Sequence, residues 1–105
     1  MARPVYSVQL ADKAAVSGSW SFGPAAGFAW IVRDVDGWIY PAVGNPTFTI
    51  YSPGGATIMS VVGNALGGTP IVWRGRQVIE PGLEFVVASD APVDFVISGY
   101  ELSPS

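Results

Sequence analysis

The sequence predicts an all-β domain, and three observations carry that reading. No segment holds an apolar period of 3.6 residues over three turns. The chain has 13 glycines and 9 prolines among 105 residues, types that punctuate a chain rather than extend helices. Between them lie short β-branched and aromatic runs bounded by turn dipeptides. That pattern predicts an antiparallel β-sandwich, jelly-roll-like, with about eight or nine strands. One domain spanning residues 1–105 is expected at this length.

The elements follow in order. Val5–Leu10 alternates Val5, Ser7 and Gln9 against Tyr6, Val8 and Leu10, a first strand with one buried face. Ala14–Trp20 reads as a second strand, and the Gly/Ala/Pro-rich Ser21–Gly27 as a loop. Phe28–Val35 is apolar until Arg33, which predicts a strand covered on both faces. Thr47–Tyr51 places Phe48 and Ile50 inward and the threonines and Tyr51 outward. Ser52-Pro53-Gly54-Gly55 offers Pro then Gly at the centre of a type II turn, which predicts a hairpin from Thr47–Ser52 to Ala56–Val62.

Gly63–Thr69 reads as a loop, and a meander follows it. Ile71–Trp73 turns at Arg74-Gly75 into Arg76–Ile79. Glu80-Pro81-Gly82-Leu83 gives another Pro-Gly turn before Glu84–Ser89, and Asp90-Ala91-Pro92 a turn before Val93–Leu102. In that last strand Val93, Phe95 and Ile97 share one face, while Tyr100 and Leu102 have the other parity. A β-bulge at Gly99 would return Tyr100 to the core face.

Composition narrows function. With no histidine, the usual side chain for proton transfer near neutral pH is missing. With no cysteine, there is no thiolate nucleophile, disulfide or thiolate metal site. The net charge of −3 and the few, scattered basic residues argue against nucleic acid. The uncharged run from Gly37 to Trp73 is broken by Pro41, Pro46, Pro53 and Pro70, so no membrane partner is expected. The start of the chain goes straight into strand-like sequence, and no signal peptide is read there. Half of the residues are hydrophobic and 12% are charged. A monomer of this size with that balance leaves apolar surface uncovered, which points to self-association.

The polar constellations carry little chemistry. Asp34 and Asp36 sit two apart on a strand end before Gly37, but Trp38, Ile39 and Tyr40 follow where a calcium loop needs further oxygen ligands. Glu80, Glu84, Asp90 and Asp94 flank two turns, and a solvated edge is their ordinary setting. No nucleophile elbow, phosphate loop or dinucleotide fingerprint is present. The expectation is therefore a non-enzymatic protein without cofactor or metal. Among the four tryptophans, Trp30 is expected in the core. Trp38 stands beside a turn and is open to three roles: core, protein interface or ligand platform. Trp38, Tyr40, Arg74 and Arg76 are the candidate interface residues, since aromatic and Arg side chains near turns anchor contacts with a large area and a polar handle.

Trp73-Arg74-Gly75-Arg76-Gln77-Val78-Ile79, Pro81-Gly82, Asp94 and Ser98-Gly99-Tyr100-Glu101-Leu102, with Arg33-Asp34-Val35-Asp36 upstream, resemble in order and character the small β-rich virion structural proteins of tailed bacteriophages, notably actinobacterial ones. The resemblance implies a capsid decoration, head–tail connector or tail-associated subunit. Its partners would be further copies of itself and other virion proteins, and its place the virion, assembled in the host cytoplasm. The alternative expectation is a carbohydrate- or host-surface-binding β module that stacks sugars on Trp38, Tyr40 or Tyr100.

Overall fold

In the computed structural model of this chain residues 8–103 are described, and they fold into six antiparallel strands without a helix. These are β1 (Val8–Phe22), β2 (Ala29–Ile39), β3 (Thr47–Tyr51), β4 (Thr57–Val62), β5 (Thr69–Ile79) and β6 (Phe85–Leu102). They form one sheet in the order β4-β3-β6-β2-β5, with β1 along the other side of β6. The sheet coils until it is nearly barrel-shaped.

β6 organises this sheet because it is long enough to serve two sets of neighbours. Its first part, through Ser89, pairs with β3, and its second part, from Val93, pairs with β2. β1 follows its opposite side through both parts. Two arms result: β4-β3-β6-β1 and β5-β2-β6-β1, joined by the two strands they share. The strand alternates without a break, burying Phe85, Val87, Ser89, Ala91, Val93, Phe95 and Ile97. Period-2 patterning of that length fixes register, since a slip of one residue would expose the whole set.

Rings carry the contact between the arms. Phe48 of β3 meets Phe95 of β6 at 5.5 Å between centroids, Trp20 of β1 meets Phe95 at 5.8 Å, and Phe85 meets Trp30 of β2 at 6.3 Å. Tilted and edge-on pairs of this kind add about 0.5–1.5 kcal/mol each beyond the area they bury. Ile39, Ile71, Ile79 and Val35 complete the core, as does Trp30, whose Nε1 donates to Glu101 Oε2 at 2.9 Å.

Several expectations are corrected here. The predicted eight or nine strands are six among the described residues, because three predicted breaks lie inside strands. Arg74-Gly75 is not a turn, and β5 runs through it. Asp90-Ala91-Pro92 is not a turn either. It lies where β6 passes from β3 to β2, so the N–H that Pro92 lacks is missing from no ladder. Val8–Leu10 and Ala14–Trp20 are one strand, bulged between Lys13 and Gly18, where Ala15 and Gly18 take positive φ. Val5–Ser7 lies outside the described residues.

The bulge expected at Gly99 sits instead in β2. Val32 pairs with Gly99 and Asp34 with Ser98, so Arg33 is the extra residue and Tyr100 stays on the face opposite Phe95. Gly99 is required by crowding: a Cβ there would lie 1.9 Å from the Ile31 carbonyl oxygen. β2 buries one face rather than two, with Trp30, Val32, Val35 and Ile39 inward.

The Thr47–Val62 hairpin forms as expected, with Phe48 and Ile50 buried. Thr49 is buried as well, and its Oγ1 lies 3.2 Å from Ser60 Oγ. The turn differs in type: Gly55, not Gly54, holds the positive φ, and Ser52 N donates to Ala56 O. This is a three-residue loop closed by a left-handed glycine. At Glu80–Leu83 the expected turn is present, with Gly82 at φ 82° and Leu83 N donating to Glu80 O.

Candidate interaction surface

The outward face of the β5-β2-β6-β1 arm gathers the residues singled out from sequence. Strand pairing sets Trp38 beside Pro70 and Asp94, and Asp36 beside Val72 and Val96, with Asp12 next in that row. Asp34 lies between Arg74 and Ser98. Trp38, Arg74 and Arg76 therefore share one face, and Tyr40, just past the end of β2, joins it through its hydroxyl.

Trp38 is 45% exposed, which removes it from the core. Its indole lies over Gly68, where a Cβ would come within 1.9 Å of the ring. The glycine lets the loop after β4 pass beneath the ring and fixes the ring's pose. Tyr40 Oη donates to Asp94 Oδ2 at 3.0 Å. That hydrogen bond, then desolvation, then the carboxylate charge hold the Tyr40 phenol above its ordinary pKa of 10.0. Asp94 also accepts from Ala15 N at 2.7 Å, so one carboxylate ties β6 both to the end of β2 and to the bulge of β1.

Arg74 is held between two carboxylates, 2.8 Å from Asp36 and 3.4 Å from Asp34. The hydrogen bond to Asp36 leads in raising its pKa; desolvation, next in size, opposes it, and the charges of Asp36 and then Asp34 raise it further. Asp34 and Asp36 thus serve an ion pair, and no cluster of three or more metal-binding side chains occurs among the described residues. Arg76 is exposed and makes no ion pair among the described residues. Glu80 and Glu84 are exposed beside the turn before β6, and Asp90 Oδ2 accepts from Thr47 N, so the four acids of that sequence region do not converge.

The structure adds apolar residues that sequence reading passed over. Val72 is 63% exposed on the same face, in one row with Asp36 and the half-exposed Val96, and Val78 is half-exposed further along β5. At the end of the molecule beside Trp38, Leu66 is fully exposed and Val43 is 87% exposed. These two sit on braced loops. Asn64 Oδ1 accepts from the Leu66 and Gly67 amides, and Ala42 N donates to Asn64 O, joining the two loops. The alternation Pro70, Val72, Arg74, Arg76 was available to mark Val72 as outward. No local signal marks Leu66.

No family model matches the chain, and no curated protein matches it. A solved structure described as "Bacillus endospore appendages form a novel family of disulfide-linked pili" is similar to it, with a TM-score of 0.42 and 17% identity over 98% of this chain and 93% of that one. A likeness of that degree carries no argument about function, and this chain has no cysteine.

Proposed function

We propose that this protein is a non-enzymatic structural subunit that works by assembly, and that it belongs to the virion of a tailed bacteriophage as a decoration, connector or tail-associated protein. The observation that carries the assembly reading is the set of exposed apolar side chains on one face and end of the molecule: Trp38 over Gly68, Leu66 and Val43 on hydrogen-bonded loops, and Val72 beside Asp36 and Arg74. Exposed apolar groups on a braced backbone cost less to order when a partner covers them than groups on free loops. The virion assignment rests on the sequence resemblance. In this reading the two arms stack as a jelly-roll-like sandwich, a form that repeats readily around a symmetric shell or tube.

Replacing Val72 and Leu66 together by Lys tests the assembly half. Both are exposed, so the melting temperature should stay within a few degrees while the assembled fraction collapses. An assembled fraction equal to that of the unaltered chain rejects the proposal. A second reading, a sugar-binding module, is favoured by the indole of Trp38 standing beside Asp94. It requires saturable quenching of tryptophan emission by an oligosaccharide that Trp38→Ala abolishes.

A further inference from the structure

Among the described residues both arms of the sheet end in strands with one free edge. On one side β1 pairs with β6 alone among these residues. On the other, β4 pairs among them with β3 and β5 with β2, which leaves a seam where the coil of the sheet stops short of closing. An apolar cleft opens there, lined by Ile58 of β4, Trp73 and Gln77 of β5, and Ile50 and Phe85 beneath them. Ile58, Met59 and Trp73 remain only half-buried against the core. On the far side Leu10, Trp20 and Phe22 of β1 are half-buried in the same way. Unpaired backbone edges backed by incompletely covered apolar side chains are completed by an extended strand, because only such a strand supplies both a hydrogen-bond ladder and alternating side chains.

We infer that the strand that fills this seam is β1 of a second copy of the chain, so that both arms continue from one subunit into the next. Strand direction supports this occupant. Each arm has four strands in antiparallel succession, β1-β6-β3-β4 and β1-β6-β2-β5. Three reversals set β1 antiparallel to both β4 and β5. A copy displaced sideways without rotation therefore brings its β1 antiparallel to both free edges, and the alternation runs on without a fault. The span of β1 fits too, since its later residues belong to the arm of β4 and its earlier ones to the arm of β5.

Charge is matched along the same line. β4 carries no charge and would meet the uncharged Val16–Phe22. On β5, Arg76 is exposed and makes no ion pair among the described residues, while Arg74 is taken up by Asp34 and Asp36; the earlier part of β1 carries Asp12, which faces outward beside Val96. Lys13 is turned away over the Trp20 ring, its Nζ 5.9 Å from the centroid. The contact is heterologous and relates copies by translation, so it repeats into an open array rather than stopping at a dimer. This inference rests on the assembly reading above and adds a strand-edge contact to the apolar patch of Trp38, Leu66 and Val72.

The chain has no cysteine, so an introduced pair gives an unambiguous test. Ser60→Cys on β4 is combined in turn with Ser17→Cys, Ser19→Cys or Ser21→Cys on β1, all exposed positions. The three pairs cover successive registers. Facing residues in antiparallel strands have Cα atoms about 4.5–5.5 Å apart, within disulfide reach. Mild oxidation of assembled protein should give, for at least one pair, a ladder of covalent trimers, tetramers and longer species. Each single-cysteine variant should yield no species beyond a dimer. Assembly seen by light scattering with no ladder from any pair, or with double variants that stop at a dimer, overturns the inference and leaves the assembly reading standing. A chain that does not assemble at all overturns both.

Discussion

The two arms solve the problem of holding a sheet together in different ways. The stretch Gly37–Trp73, which includes all of β3 and β4, has no charged residue. That arm is held by Phe48, Ile50, Phe85 and Val87 in the core, with Thr49 against Ser60 and Thr47 N donating to Asp90 Oδ2 as its side-chain polar contacts between strands among the described residues. The arm of β2 and β5 is packed on Val35, Ile39, Ile71 and Ile79, and is also stitched outside by Arg74 with Asp34 and Asp36 and by Tyr40 with Asp94. Packing is the common element and polar stitching the local addition. The lesson is that apolar burial sets stability in both arms, while the polar contacts fix which side chains stand on the outer face and how they are posed.

The largest effect is expected where the arms share a ring. Phe95 contacts both Phe48 and Trp20, and Phe95→Ala should cost about 3–5 kcal/mol in chemical denaturation, enough to unfold a domain of this size under mild conditions. A loss under 1 kcal/mol would mean that the arms are not held through this ring. Next comes Gly99→Val. Its Cβ would meet the Ile31 carbonyl oxygen and force β6 from β2, for a loss of about 1–3 kcal/mol. Because the crowding comes from backbone and begins at Cβ, Gly99→Ala should cost nearly as much.

The stitching should be nearly silent in stability and visible in titration. One of the four tyrosines should ionise above the ordinary phenol range in ultraviolet difference spectra. Tyr40→Phe should remove that step, and Asp94→Asn should lower it. The sign follows from linkage: a folded-state pKa raised above 10.0 favours the fold below pH 10, and this contribution is lost as the pH climbs through the raised value. A Tyr40→Phe variant whose phenol titration lacks no high-pH step of the unaltered chain would contradict the Tyr40–Asp94 contact. Smallest of all, Arg74→Met should leave the melting point within a few degrees, since an exposed ion pair is screened by water and salt.

The sequence revealed the inner face better than the outer one. Phe48, Ile50, Val93, Phe95 and Ile97 were readable because alternation shows burial directly, and the turns at Ser52–Gly55 and Glu80–Leu83 because Pro fixes φ and Gly accepts a positive φ. Strand ends were less readable. Arg74-Gly75 and Asp90-Ala91-Pro92 have turn composition, but pairing with β2 keeps the chain extended through the first, and the change of partner from β3 to β2 along β6 keeps it extended through the second. The Gly99 bulge was misplaced because a change of parity within one strand does not say which of two paired strands holds the extra residue; Arg33 held it.

Of the four candidate interface residues, Trp38, Arg74 and Arg76 share an outward face, yet Tyr40 and Arg74 are occupied by carboxylates that lie far off in sequence. Leu66 and Val43 were not legible at all. Their exposure depends on Asn64 joining two loops, a contact between residues 42 and 64 that no short window contains.

Assembly is the claim on which the functional reading stands, and the mass of the purified chain in solution tests it most directly. Light scattering across a hundredfold range of concentration should show particles many times the 11.0 kDa of one chain, with the mean mass rising with concentration. A mass that stays at 11.0 kDa up to millimolar protein would contradict the account, and the sugar-binding reading would take its place.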